Sequence, residues 1–151
     1  MSLYYYNSSA GILEIVTGKN SLLSIQFVKK SGVSDKKTGY LKEVISQLDE
    51  YFKGKRKRFD LKLEFEGTDF QKKVWEELIK VPFGKAISYK ELAKKVKNPK
   101  GYRAVANALN KNHILLVIPC HRIISSDGSI GGFGAGIKAK RILLSNENIR
   151  I

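Results

Sequence analysis

One cysteine and one histidine stand side by side in this chain. They lie in the run Leu115-Leu116-Val117-Ile118-Pro119-Cys120-His121-Arg122-Ile123-Ile124. A thiol beside an imidazole is the raw material of thiolate chemistry, since the thiolate, not the thiol, is the nucleophile. The bland reading is a buried cysteine serving as a small hydrophobe, for cysteine is among the most buried residue types. Apolar residues on both sides should hold the segment in the core, and Pro119 restricts the backbone just before the sulfur. One Cys and two His are too few for an ordinary four-ligand zinc site, so no metal is expected. A lone cysteine also excludes an intramolecular disulfide and fits a reducing cytoplasm.

The elements that must position this pair fall into two halves. The first reads as strand and helix. Gly11–Thr17 and Leu22–Val28 are apolar, β-branched runs, and Gly18-Lys19-Asn20-Ser21 between them is a hairpin turn. Tyr4-Tyr5-Tyr6 can add a third antiparallel strand, and the polar stretch from Ser31 to Thr38 is a loop. Leu41, Val44, Ile45, Leu48, Tyr51 and Phe52 recur at helical spacing and end near Gly54. Phe59, Leu61, Leu63 and Phe65 alternate with polar residues, which makes this an extended connector. The boundary is expected between residues 62 and 63.

After Gly67 the pattern turns helical. Thr68-Asp69-Phe70-Gln71 is a capping box, followed by an apolar face through Val74, Trp75 and Leu78. Ser88-Tyr89-Lys90-Glu91 is a second capping box. A break at Lys97-Asn98-Pro99-Lys100-Gly101 separates its helix from another, Tyr102–Asn110. Two short basic helices around a tight turn describe a helix-turn-helix. Ala104, Ala106 and Ala108 would let the second of them approach a backbone closely. The stretch Gly131–Gly136 is too glycine-rich for an element interior. A last helix runs from Ile137 to Asn146, with Ile137, Arg141, Ile142 and Leu144 as its expected packing stripe and Glu147 at its end. The fold class is therefore α+β, with a small sheet-plus-helix first domain and a mostly helical second one.

Charge narrows the partners. The chain carries 28 basic against 14 acidic residues, and nine basic residues but only Glu91 lie between Lys80 and Lys111. Polyanion binding follows naturally, because each cation near a phosphate releases a condensed counterion. No apolar run approaches the ~20 residues of a membrane span. The N-terminus has neither a basic lead nor a long apolar stretch, so no secretory signal is expected.

At this point the residues resemble a known family. Ile118-Pro119-Cys120-His121-Arg122-Ile123-Ile124 is similar to the active-site signature of the O6-alkylguanine-DNA alkyltransferases, also called methylated-DNA–protein-cysteine methyltransferases. Thr68-Asp69-Phe70-Gln71-Lys72-Lys73-Val74-Trp75, Pro82-Phe83-Gly84-Lys85, Ser88-Tyr89, Tyr102-Arg103-Ala104-Val105, Asn112 and the glycine loop ending in a helix with Glu147 resemble its other landmarks, in order. The resemblance covers about residues 60–151. The first part fits only by type, as the family's small RNase H-like domain, and the second corresponds to its winged-helix-like DNA-binding domain.

The resemblance implies direct-reversal repair. Cys120 would take the alkyl group from O6-alkylguanine in double-stranded DNA, with O4-alkylthymine as a second candidate lesion, and would be consumed once per lesion. His121 would be its base through a bridging water, Glu147 the orienter of the imidazole and Tyr89 the proton donor to the departing guanine. Asn112 would link the recognition helix to the active-site segment. Arg103 would fill the space of a flipped nucleotide in the minor groove, flanked by Tyr102, Ala104, Ser88 and Lys100. Phe133, Gly134, Ser126, Ile123, Pro119 and Arg122 would line the base pocket. Phe133 and Gly134 stand where many relatives carry tyrosine and serine. No cofactor is implied, and the protein should be a cytoplasmic monomer. Two other readings stay open: a helix-turn-helix protein that binds DNA without chemistry, and a Cys–His hydrolase. The presence of Cys120 weighs against the first. Adjacency of the pair weighs against the second, since such dyads normally come from separated segments.

Overall fold

The computed structural model describes every residue from Met1 to Ile151. The chain divides into two compact units, and the first comprises Met1–Phe65 together with His113–Leu115. Its strands β1 (Ser2–Ser8), β2 (Gly11–Thr17) and β3 (Leu22–Val28) form an antiparallel sheet in that order. Tyr4 faces Ile15 across the first ladder, and Ile15 faces Ile25 across the second. The turn between β2 and β3 closes with Gly18 N–H donating to the Ser21 carbonyl at 2.9 Å. Helix α1 (Gly39–Phe52) packs on this sheet through Leu41, Val44, Ile45, Leu48 and Tyr51. These meet Leu13, Ile15, Leu22 and Ile25, all with no exposed surface. Each such side chain contributes about 1.5–3 kcal/mol relative to exposure. The free edge of β3 is covered by two isolated parallel bridges, Leu22 with Leu63 and Ile25 with Ile114.

The second unit comprises Glu66–Asn112 and Leu116–Ile151. Helix α2 (Asp69–Ile79) starts at the capping box read from the sequence, with Gln71 N–H donating to Thr68 Oγ1 and Thr68 N–H donating to Gln71 Oε1. It buries Val74, Trp75 and Leu78. The Trp75 indole donates to the Ala108 carbonyl at 2.8 Å, which ties α2 to α4 (Tyr102–Asn110). Gly67 is needed beside it, because a Cβ there would lie 2.7 Å from the Trp75 ring. Strand β4 (Ile87–Ser88) runs directly into α3 (Tyr89–Lys95), capped by Ser88 and Glu91. The turn from α3 to α4 holds Lys97 at φ 59 and presses Gly101 onto the Asn98 side chain. No helix is long and apolar enough to cross a membrane.

Two expectations about helix faces are corrected here. Ala108 points inward with no exposed surface, and of the other two alanines of α4 Ala104 is exposed and Ala106 half-buried. Helix α5 (Ile137–Asn146) buries Leu144 as expected, but its other buried residues are Ala139, Lys140 and Leu143 rather than Ile137, Arg141 and Ile142. Ile137 is 46% exposed and Arg141 is also exposed. Lys140, Leu143, Leu144 and Glu147 fall on one helical face, and that face is the buried one.

Candidate active site

Cys120, His121 and Arg122 form a single 3-10 turn between Pro119 and the short strand β5 (Ile123–Ile124). The apolar run before it is not a strand but a chain of turns, with Leu116 at φ 73. β5 pairs in parallel with β4, setting Ile123 against Ile87 and Ile124 against Ser88. Since Tyr89 directly follows β4, this pairing brings the tyrosine to the cysteine's side of the unit. A turn of three residues sends its side chains in different directions, and here each finds a separate task.

Cys120 is a free thiol, 7% exposed. Burial pushes it up to about 11, against a hydrogen bond from Asn112 and the charge of Lys140, both of which pull it down. A thiol in that range is a weak nucleophile at neutral pH, so its reaction needs a base. Asn112 is buried as well and donates Nδ2 to the Ile118 carbonyl at 2.8 Å. One side chain thus fixes the approach to the turn and touches its sulfur.

His121 has no exposed surface. Its Nε2 lies 2.6 Å from Glu147 Oε2, while Nδ1 is buried and bonds to no protein group. Burial holds the imidazole below its usual range, with the charges of Arg122 and Lys140 adding to that and Glu147 opposing it. A neutral ring facing a carboxylate carries its proton on Nε2, which leaves the Nδ1 lone pair open.

Glu147 is 1% exposed and is the hub of the cluster. Burial alone would raise its carboxyl, but the hydrogen bonds from His121 and Arg122 and the Arg122 charge prevail and hold it down at about 2. Arg122 donates Nε to Glu147 Oε1 at 2.7 Å and Nη2 to Oε2 at 3.2 Å, and its Nη1 donates to the Val81 carbonyl at 2.7 Å. Gly84 N–H also donates to Glu147 Oε1, at 3.3 Å. The guanidinium lies 6.0 Å from the centroid of the Phe83 ring. Arg122, expected at the wall of the base pocket, is therefore Glu147's clamp. The reason is electrostatic: a buried carboxylate serving one neutral histidine needs a permanent cation and further donors. Gly84 supplies one such donor, and Phe83 supplies the aromatic face.

Tyr89 is half-buried. Burial raises its phenol first, the nearby Cys120 raises it further, and the backbone of Gly132 opposes them. It therefore stays protonated and able to donate. Gly131 sits against it at φ +72, where a Cβ would lie 3.3 Å from the Tyr89 ring and 3.2 Å from Ser125 Oγ. Phe133 is half-buried farther along this loop. Gly134 and Ser126 are exposed, and a Cβ at Gly134 would meet nothing within 4 Å. Pro119 and Ile123 are buried beside the turn.

The expected DNA contacts form a separate surface. Arg103, Ala104 and Lys100 are exposed, as is Tyr102 at 47%. With Asn107 and Asn110 they make the outer face of α4 and the turn before it. The Ser88 hydroxyl is taken up by the N-cap of α3, accepting from Glu91 N–H. The residue the sequence reading missed is Lys140, which is fully buried beside this cluster. Its position could have been found from Glu147, because residues 140, 143, 144 and 147 share one helical face. No group of three or more His, Cys, Asp or Glu side chains is placed to hold a metal ion.

Residues 69–149 match the family model described as 6-O-methylguanine DNA methyltransferase, DNA binding domain. Residues 1–65 match its ribonuclease-like domain. The methylated-DNA–protein-cysteine methyltransferase of Methanosarcina barkeri is 48% identical over 108 residues, covering 72% of this chain and 68% of that protein. Its counterpart in Methanosarcina acetivorans is 38% identical over 153 residues, covering 96% and 98%. The crystal structure of Mycobacterium tuberculosis OGT in complex with DNA superposes with a TM-score of 0.88 at 32% identity, covering 97% of this chain and 92% of that one.

Proposed function

The chain belongs to the methylated-DNA–protein-cysteine methyltransferases, and we propose that Cys120 is the cysteine its alkyl transfer uses. The protein is a DNA-repair alkyltransferase that moves the alkyl group of O6-alkylguanine onto its own sulfur. The S–C bond forms as the C–O bond of the lesion breaks. His121 takes the thiol proton at Nδ1 through a bridging water, and Glu147 stabilises the imidazolium. Tyr89 gives its phenolic proton to the departing guanine, so no guanine anion is released. The proton held by His121 balances the one Tyr89 gives up. The sum is thiol plus alkylguanine giving thioether plus guanine. A thioether has no water-labile bond, so each molecule acts once.

The target carbon lies inside a duplex, so the nucleotide must leave the stack, at a few kcal/mol. The exposed face of α4 is the surface for the minor groove, with Arg103 filling the vacated space. We place the protein in the cytoplasm, where reducing conditions keep its single cysteine a thiol.

The observation that carries this reading is the buried Cys120-His121 pair with Glu147 on the far side of the imidazole and an open Nδ1. The test is intact-mass measurement after incubation with duplex DNA containing O6-methylguanine. One methyl group per protein is expected on Cys120, and none in Cys120→Ala. An unmodified wild-type protein that still binds the duplex would favour binding without chemistry.

A further inference from the structure

Asn107 and Asn110 lie on the outer face of α4 together with Arg103, and all three side chains are exposed. At about 3.6 residues per turn, positions 103, 107 and 110 fall within one narrow stripe. No hydrogen bond within the protein uses either asparagine side chain. Asn110 closes the helix, but Asn107 sits in its interior. Asparagine is a poor choice there, because its side chain competes for backbone groups and alanine would serve the helix better. The fold gives the Asn107 amide no partner, so it is available to whatever α4 meets.

That face already has donors. Arg103, Lys100 and Lys111 are exposed, and their side chains can only donate. An asparagine amide brings an acceptor as well, its Oδ1 beside the two protons of Nδ2. In the minor groove an A·T pair shows acceptors alone, whereas a G·C pair adds the guanine 2-amino group as a donor. A side chain with both functions therefore matches guanine: Oδ1 accepts from the 2-amino group while Nδ2 donates to guanine N3. Against A·T the same oxygen is left facing acceptors. Along the helix axis Asn107 is about 6 Å from Arg103, on the order of two base-pair steps of roughly 3.4 Å each.

We propose that Asn107 is a specificity-determining residue for the repair reaction: its amide reads the guanine amine of a G·C pair within about three steps of the flipped nucleotide, so that transfer depends on sequence context. This rests on the reading of α4 as the minor-groove surface with Arg103 in the vacated space. It adds to that surface a residue that distinguishes one base pair from another.

The experiment measures single-turnover transfer, below saturation, from duplexes that differ only in the base pairs flanking O6-methylguanine on either side. Each flanking position carries in turn G·C, A·T, inosine·C, which lacks the minor-groove amine, or 2,6-diaminopurine·T, which adds it to an A·T pair. At one or two adjoining positions, wild type should transfer at least about fivefold faster with G·C than with A·T. Inosine should behave as adenine there, and diaminopurine as guanine. Asn107→Ala should hold all four pairs within about twofold, whereas Asn110→Ala should keep the preference. Each protein is compared with itself across duplexes, so a general loss of activity in a variant does not imitate this result. A wild type indifferent to its flanks, inosine that behaves as guanine, or a preference that survives in Asn107→Ala would overturn the role of Asn107 alone. Duplex transfer untouched in Arg103→Ala would instead remove the minor-groove reading, and this one with it.

Discussion

His121 Nε2 and Glu147 Oε2 lie 2.6 Å apart, and neither side chain has any exposed surface. The carboxylate dictates the tautomer of the ring, and the tautomer aims a lone pair away from it. Removing the charge while keeping the shape should therefore disable the base, besides leaving Arg122 without its counter-charge. Glu147→Gln should lower the single-turnover transfer rate by about two orders of magnitude, the scale of a disabled general base. Quench-flow with an O6-methylguanine duplex measures it, and a loss under threefold would sink the orienting role.

Arg122 is the counter-charge that lets Glu147 stay ionised in the interior. Taking one partner from a buried ion pair costs about 3–5 kcal/mol, because the other is left uncompensated. Arg122→Ala should lose that much in urea unfolding. Arg122→Lys should recover less than half of it, since a point charge cannot serve both Glu147 oxygens and the Val81 carbonyl together. Full recovery by lysine would show that the fork geometry is unimportant.

Acid should unfold the protein in two stages. The folded His121 sits below its usual 6.5, so the unfolded chain takes up that proton first and stability falls as pH drops below 6.5. Glu147 goes from 4.5 unfolded to about 2 folded, so its contribution is complete above 4.5 and is lost as pH falls toward 2. Urea midpoints measured across this range should steepen between those two values. In Glu147→Gln the steep part should vanish, and its persistence would assign the acid sensitivity elsewhere.

Arg103 is exposed and has no structural partner to lose. Arg103→Ala should leave unfolding within about 0.5 kcal/mol of wild type. Transfer from duplex DNA should fall steeply, while reaction with the free alkylated base stays unchanged. If Arg103 also meets phosphate, the slope of affinity against salt should drop by about one. Equal losses on both substrates would contradict a role in base flipping.

What the sequence disclosed follows from how local each signal is. The capping boxes at Thr68 and Ser88 need only four consecutive residues, and both form as read. The hairpin ladders and the stripe of α1 are equally local and hold to within a residue or two. Lys140 stayed hidden because lysine is almost always solvated, and only its phase relative to Glu147 marks it as internal. Arg122 was assigned to the pocket by the resemblance alone, and what the sequence could not show is that its guanidinium reaches Glu147 and the Val81 carbonyl. The Val81 carbonyl and the Gly84 amide left no trace at all, because backbone groups donate and accept whatever the residue type. Ala108 was read as a groove contact because small size suits both a groove and a helix crossing, and Trp75 decided for the crossing.

The bridge between Ile25 and Ile114 has a consequence for how the molecule can be taken apart. Ile25 N–H donates to the His113 carbonyl at 2.8 Å, and Leu115 N–H donates back to the Ile25 carbonyl at 2.9 Å. Three residues from the middle of the later sequence thus complete the first unit, although Asn112 and Leu116 on either side belong to the second. The division in space is not a division along the chain. No single scission yields two whole modules: cutting after Phe65 frees a sheet whose outer strand has lost two backbone partners. An exposed strand edge of that kind invites pairing with another chain. The first unit is therefore complete only while the chain is uncut.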